Sequence, residues 1–431
     1  GKLSSLTAAN GTIYVAAIDR HTIHALDAET GKERWRFQAG GRVDSPPTFH
    51  QNTLLFGSAD GVVYCLRATD GALVWRFMAA PADRRILVYE QIESLWPVHG
   101  SILVHNGTAH FAAGRSAFVD GGLTLYQLDA KTGALRSKSK IDERNPNTGK
   151  NVHDTVKWLN MAVGRNDILS SDGERLYMRS QAFDLEGNRL AMGPKETGPQ
   201  EGSLQGGPTT HLFCPTGFLD DTWFHRTYWL FGETWSSGWN GYFVAGKHAP
   251  SGKIMTVGQD QVFVFGRHPE YYRWTVPLEF RLFAANKIWK APEPADRKPA
   301  PKPKGNNKQD TGPAPINNQK NYTWSLNLPT LVHAMVLTND TLFVAGPPDL
   351  LDEDALGRAY RAQDTPEILA QEAALAGKYG GRIHAINKTT GQPVATLELD
   401  SPPIFDGLIA AQNNLYTATD AGDVICLGAK D

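Results

Sequence analysis

Short runs of alternating apolar and polar residues, each broken by a glycine-containing dipeptide, recur along the chain. Ile13-Tyr-Val-Ala-Ala is followed by Thr22-Ile-His-Ala-Leu-Asp27, by Thr30-Gly31 and by Trp35. The same order returns as Leu54-Leu-Phe-Gly-Ser, Asp60-Gly61, Val62-Val-Tyr-Cys-Leu, Asp70-Gly71 and Trp75. A third copy runs Ala109-His-Phe-Ala-Ala-Gly, Leu123-Thr-Leu-Tyr-Gln-Leu-Asp129 and Thr132-Gly133, with Ser137 where the others carry Trp. Period-two alternation of β-branched and aromatic residues predicts strands. The Asp-Gly and Thr-Gly pairs supply the positive φ of tight hairpins. A tryptophan on the last strand of each unit is large enough to fill the space between neighbouring sheets, which none of them can bury alone.

Weaker copies continue the rhythm. They begin at Arg175-Leu-Tyr-Met and Ala182-Phe-Asp-Leu-Glu-Gly187, followed by an aromatic strand over 223–231. Val262-Phe-Val-Phe-Gly leads to Phe280-Arg-Leu-Phe and Trp324, and Leu342-Phe-Val-Ala-Gly leads to Ile383-His-Ala-Ile-Asn and Thr390-Gly391. The last copy, Leu415-Tyr-Thr-Ala-Thr to Val424-Ile-Cys-Leu, stops before its fourth strand. Self-similarity at this period predicts an all-β fold: a single β-propeller over 1–431 of eight blades, each a four-stranded antiparallel sheet. The chain opens on a strand-like segment without the features of a signal peptide, so upstream residues are expected to be missing. A strand from before Gly1 would complete the last blade.

In such a ring the blade-to-blade connections and the second-to-third-strand connections share one face. The long excursions 79–99, 140–160, 189–211, 114–122, 232–250 and 346–381 all fall there, and function concentrates in loops held by a rigid scaffold. The 346–381 insertion carries a helix: Asp364 or Thr365 caps it, Pro366 suits its first turn, and Ile368, Leu369, Ala373 and Leu375 make an imperfect apolar stripe. It is read as a lid packed on the rim or as a gate. Residues 292–321, basic and proline-rich without apolar anchors, are expected as a disordered extension on the opposite face.

A net charge of −2 offers no basic field for nucleic acid, and no apolar run is long enough to span a membrane. The 3 cysteines, Cys65, Cys214 and Cys426, have no metal-ligand or redox spacing.

The run from Gly11 to Trp35 resembles the pyrroloquinoline-quinone (PQQ)-like repeat that quinoprotein alcohol dehydrogenases share with BamB, the outer-membrane assembly lipoprotein. The middle of the chain, including 113–122 and 215–229, is similar to PQQ-like repeat proteins of planctomycetes. The resemblance implies a propeller working outside the cytoplasm, periplasmic or secreted. The enzyme branch encloses PQQ beneath a disulfide of adjacent cysteines and carries a calcium-binding carboxylate set. No two cysteines are adjacent here, so PQQ is not expected.

Candidate chemistry is sparse. Alternation over 223–229 puts His225, Thr227 and Trp229 on one face and Phe224, Arg226 and Tyr228 on the other. His225, Arg226 and Tyr228 are the candidate catalytic set, against plain packing between blades; to converge they need help from His99, His153 or His211. Asp220 and Asp221 form either an Asx turn or a Ca²⁺ site. Arg115 and Asp120 either pair with each other or hold an anion through Arg115. Trp235 and Trp239, set among Gly and Ser, suit stacking on sugar rings or packing on the rim. The expected function is non-catalytic binding of a glycan or protein. The alternatives are a lyase on acidic polysaccharide and a BamB-like assembly scaffold.

Overall fold

The computed structural model describes residues 1–88, 90–151, 166, 168–178, 181–190, 194–195, 204–213, 229–236, 249–267, 279–288, 321–353, 355–356 and 365–428. Among these, eight blade sheets follow one another along the chain, six with four strands and two with three, and a two-stranded hairpin sheet lies between the second and third. Every pairing is between antiparallel neighbours in sequence order. Blade 1 is Thr7–Ala9, Thr12–Ala17, Thr22–Asp27 and Glu33–Gln38. Blade 2 is Thr48–His50, Thr53–Gly57, Val62–Arg67 and Leu73–Met78, and blade 3 is Leu103–His105, Thr108–Ala113, Leu123–Asp129 and Leu135–Ile141. Blade 4 contributes Ser170–Ser171, Arg175–Met178 and Gln181–Asp184. Blade 6 begins at Ile254–Val257, blade 7 at Ala334–Leu337, and blade 8 consists of Pro403–Ala411, Asn414–Thr419 and Val424–Leu427. The first strand of blade 8 lies beside that of blade 1, and the Tyr416 hydroxyl of blade 8 donates to the Ala28 carbonyl of blade 1 at 3.2 Å.

Burial follows strand rank. In blades 1 to 3 second and third strands are largely buried, as in Thr12–Ala17 and Val62–Arg67, whereas the fourth strands of blades 1 and 2 alternate, with Trp35 and Trp75 turned inward. Each of these tryptophans docks on the next blade. The Trp35 indole N–H donates to the Ala68 carbonyl at 2.9 Å, Trp75 to Ala130 at 3.3 Å, and Trp324 to Lys388 at 2.8 Å. The rings lie on Gly71, Gly133 and Gly391, each at φ +72°, where a Cβ would stand 2.6 Å from the indole. Glycine is thus required twice over, by the backbone conformation and by the ring. At the Trp-less position Ser137 docks in the same way, its hydroxyl donating toward the Glu186 carbonyl at 3.1 Å beside Gly187. Inner strands are tied across blades by hydroxyls: Thr7 donates to Pro47, Thr48 to Ile102 and Ser170 to Leu212, each at 2.6 Å.

Two expectations change. Residues 189–211 and 232–250, read as loops, contain strand: Leu204–Phe213 pairs with Trp229–Ser236, and the paired ribbon includes Leu204↔Ser236 and Gln205↔Trp235. Backbone pairing between the two excursions turns both into strand. The helix Pro366–Leu375 forms with Thr365 as its cap and Pro366 in its first turn, but it buries Gln371 and Ala374 while Leu369 is exposed. Gln371 faces inward because it serves the loop beneath it: its Oε1 accepts from the Leu350 N–H at 2.6 Å and its Nε2 donates to the Pro348 carbonyl at 3.1 Å. No helix among the described residues is long and apolar enough to cross a membrane. The 292–321 extension lies outside the described residues, apart from Asn321.

Candidate functional site

The loop-rich face carries a charged cluster assembled from three successive connections. Residues 39–47, between blades 1 and 2, supply Arg42 and Asp44. Residues 79–102, between blades 2 and 3, supply Glu93 and His99, and the turn after Thr108–Ala113 supplies Arg115. Glu93 lies in the second strand of a hairpin of Arg85–Val88 and Gln91–Ser94, where it and Ser94 are both buried, Glu93 to 1% exposed.

Two guanidinium groups bracket that carboxylate. Arg42 Nη2 lies 3.0 Å from Glu93 Oε1, and Arg115 Nη2 donates to Glu93 Oε2 at 2.5 Å and to the Ser94 carbonyl at 3.0 Å. Arg42 Nε also lies 3.3 Å from Asp44 Oδ1, and His99 Nδ1 is 2.5 Å from Asp44 Oδ2. Burial works to raise the Asp44 carboxyl, but the His99 hydrogen bond and the charges of His99, Arg42 and Arg115 outweigh it and hold Asp44 below the usual carboxylate range. An ionised Asp44 orients the imidazole and leaves His99 Nε2 as the ring's second polar edge.

Backbone contacts set the positions. The Val98 N–H donates to the Ser58 carbonyl at 3.0 Å, the Gly114 N–H to Pro97 at 3.0 Å, and Asn166 Nδ2 to both Pro97 at 2.6 Å and Gly114 at 2.9 Å. Asp44, His99 and Arg42 keep about a sixth of their side-chain surface open and Arg115 rather more, whereas Glu93 is buried, so the cluster is anchored inside and partly accessible from outside.

Of the residues singled out from sequence, His99 and Arg115 belong to this cluster. Asp120 does not pair with Arg115. It is exposed at φ +54°, and its carbonyl accepts from Trp96 Nε1 at 2.9 Å. His211 and Trp235 lie on the paired ribbon, opposite Gly232 and Gln205, rather than in loops. His153, Asp220, Asp221, His225, Arg226, Tyr228 and Trp239 lie outside the described residues. Sequence reasoning missed Arg42, Asp44 and Glu93. Glu93 has the alternation of an ordinary surface hairpin, and Asp44 precedes a Ser-Pro-Pro turn, so neither carries a local signal.

The cysteines do not fit the disulfide that encloses quinone in the enzyme branch. Cys65 is buried on a third strand, its thiol pushed up to about 11 by burial, Cys426 is on a third strand of another blade, and Cys214 has no cysteine beside it in the chain.

A family model described as outer membrane protein assembly factor BamB matches residues 2–207. The chain is 31% identical over 70 residues to outer membrane protein assembly factor BamB of Moranella endobia, covering 16% of this chain and 18% of that protein. It is 24% identical over 230 residues to the quinoprotein ethanol dehydrogenase of Pseudomonas aeruginosa, covering 46% and 34%. The chain thus matches about a third or less of the length of these curated relatives. Among solved structures, BamB from Moraxella catarrhalis aligns over 98% of this chain and 80% of its own at 12% identity and a TM-score of 0.38. Quinohemoprotein alcohol dehydrogenase from Comamonas testosteroni aligns over 96% and 70% at 12% identity and a TM-score of 0.49. With repeats matched over 2–207 and successive four-stranded antiparallel sheets continuing beyond them, the chain is a PQQ-like repeat β-propeller.

Proposed function

We propose that this propeller is a binding scaffold that works outside the cytoplasm and docks a protein partner on its loop-rich face. The observation that carries the reading is the Arg42–Asp44–Glu93–His99–Arg115 cluster, in which opposite charges are paired while Arg42, Asp44, His99 and Arg115 stay partly exposed. Such an arrangement meets the amides and side chains of a polypeptide at little cost in reorganisation. Phe118 and Val119, 48% and 53% exposed in the turn that carries Arg115, add apolar contact beside it. The match to an assembly-factor family model supports a protein as the occupant.

The test is site-specific photo-crosslinking in the periplasm of a Gram-negative host, with the crosslinker at Phe118 or, as a control on the opposite face, at Leu135. A discrete adduct at Phe118 that is absent at Leu135 and weakened by Arg115→Ala is expected. Equal or absent labelling at both positions would end the proposal.

The Asp44–His99 pair favours a second reading. An imidazole held by a carboxylate is a competent general base, and guanidinium groups nearby can stabilise the charge formed on a uronic acid when its α-proton leaves. New absorbance from unsaturated chain ends on an acidic polysaccharide, lost in Asp44→Asn, would favour this lyase over the scaffold.

A further inference from the structure

A second group of charged residues lies away from that cluster. Glu279 stands immediately before Phe280–Asn286, a strand of blade 6, while Asp349 and Glu353 follow Thr341–Gly346, the second strand of blade 7. One carboxylate oxygen from each of the three lies within 4.8 Å of the others. Glu353 is 7% exposed and, among the described residues, its Oε2 has no hydrogen-bond partner; Asp349 Oδ1 is also buried and has none among them.

The segment that brings them together is held firmly. The Asp349 N–H donates to the Pro329 carbonyl at 3.2 Å, and Gln371 of the helix clamps the residues on either side of Asp349. The Glu353 N–H donates to Glu279 Oε1 at 2.9 Å, and Asp352 Oδ1 accepts from the Ala355 N–H at 2.7 Å. These bonds keep the carboxylates facing one another although burial and like charge both oppose it. A buried acceptor without a donor is costly to leave unmatched, so a positive species must complete the group.

We propose that Glu279, Asp349 and Glu353 form a structural Ca²⁺ site that fastens the 346–381 insertion of blade 7 to blade 6. The donors are all carboxylate oxygens, the preference of a hard cation. Oxygens bound to one Ca²⁺ can stand at most about 4.6–5.2 Å apart, twice the Ca–O distance, and the three oxygens here lie within 4.8 Å of one another. Ca²⁺ tolerates irregular cages, whereas Mg²⁺ demands near-octahedral geometry and gives up its water reluctantly. The site joins two blades at their second and third strands and shares no residue with the charged cluster, so it stands or falls independently of the binding function.

The experiment is calorimetric titration of chelator-treated protein with CaCl₂, alongside thermal unfolding and limited proteolysis. One Ca²⁺ per chain, a saturable rise in Tm and slower cleavage within 346–381 are expected, with Mg²⁺ giving a smaller effect. Glu353→Gln and Asp349→Asn should each weaken Ca²⁺ binding by at least about 100-fold, the upper end of what changes even outside the ligand shell cost. Both substitutions remove like-charge repulsion, so the metal-free variants should melt no lower than metal-free wild type, which separates lost binding from lost folding. Absence of heat and of a Tm shift at millimolar Ca²⁺, which would leave shared protons as the neutralising species, overturns the site. So does Ca²⁺ stabilisation that survives unchanged in both variants.

Discussion

The tryptophan-on-glycine contacts between blades can be tested as pairs. At Gly133 two penalties meet a new methyl group. The backbone sits at φ +72°, where an L side chain costs about 1–2 kcal/mol. The new Cβ would also lie 2.6 Å from Trp75 Cδ2, so the indole must shift out of a site where it is 9% exposed and bonded to Ala130. Overpacking of this kind costs a further ~1–3 kcal/mol. Gly133→Ala should therefore destabilise by about 2–5 kcal/mol. Gly31 supplies an internal control, because it has φ +67° in the equivalent turn of blade 1 but nothing within 4 Å of its would-be Cβ. Gly31→Ala should cost only the backbone share, about 1–2 kcal/mol. Trp75→Ala alone should cost ~3–5 kcal/mol, and in that background Gly133→Ala should fall to the Gly31 level, a coupling of about 1–3 kcal/mol. Urea midpoints read by far-UV circular dichroism, with slopes compared between variants, measure each corner of the cycle. Equal costs at Gly31 and Gly133, or no relief of Gly133→Ala by Trp75→Ala, would refute the docking argument.

Further expectations follow from buried charge and from exposure. Glu93→Ala leaves Arg42 and Arg115 facing an emptied site and should cost about 3–5 kcal/mol in urea unfolding, with Glu93→Gln milder. His110, 1% exposed, is pushed down to about 4 by burial and then by the charges of His105 and Arg136. The unfolded chain therefore binds the extra proton between about pH 4 and 6.5, and stability complete above that window should fall by up to ~3 kcal/mol as pH drops through it. His110→Gln should flatten that part of the stability curve; an unchanged slope would show that other groups carry it. Leu87 and Ile92 pair across the hairpin at 74% and 63% exposure, so replacing both by Ser should move the unfolding free energy by no more than about 0.5 kcal/mol, read from the same urea midpoints.

The scaffold was legible because its signals are local. A Thr-Gly or Asp-Gly turn whose glycine lies four residues before a tryptophan marks both the hairpin and the residue that docks on the next blade, and Ser137 could be recognised as a filled tryptophan slot by register alone. Chemistry was legible only where a residue is unusual by type, as with His99 and Arg115. Their partners Arg42, Asp44 and Glu93 meet them through tertiary packing alone, Asp44 and His99 standing 55 positions apart in the chain. The three carboxylates of the second group are further hidden, because Glu353 and Glu279 are 74 residues apart and each sits in an ordinary-looking surface segment. The helix stripe was misread for a related reason: Gln371, polar in sequence, is buried because it bonds the loop backbone on either side of Asp349.

Both charged groups depend on the same feature of the repeat. The end of a blade's second strand meets the chain entering a first strand so closely that side chains are excluded: a Cβ at Gly57 would lie 2.3 Å from Val98, and one at Gly346 would lie 1.7 Å from the Leu331 carbonyl. Those contacts fix the backbone just before His99 and just after Gly346, the two points from which the charged loops leave. A loop launched from such a point inherits the rigidity of two sheets, and this is how short excursions can hold Glu93 and Glu353 in buried positions against the cost of desolvation. Gly57→Ala should therefore disturb the His99–Asp44 contact although neither residue is altered, whereas a substitution of similar size at the open Gly121 should leave it intact. The His99 ring resonances in proton NMR spectra give the readout. Matching His99 shifts in both variants would mean that the cluster organises itself, independently of the blades beneath it.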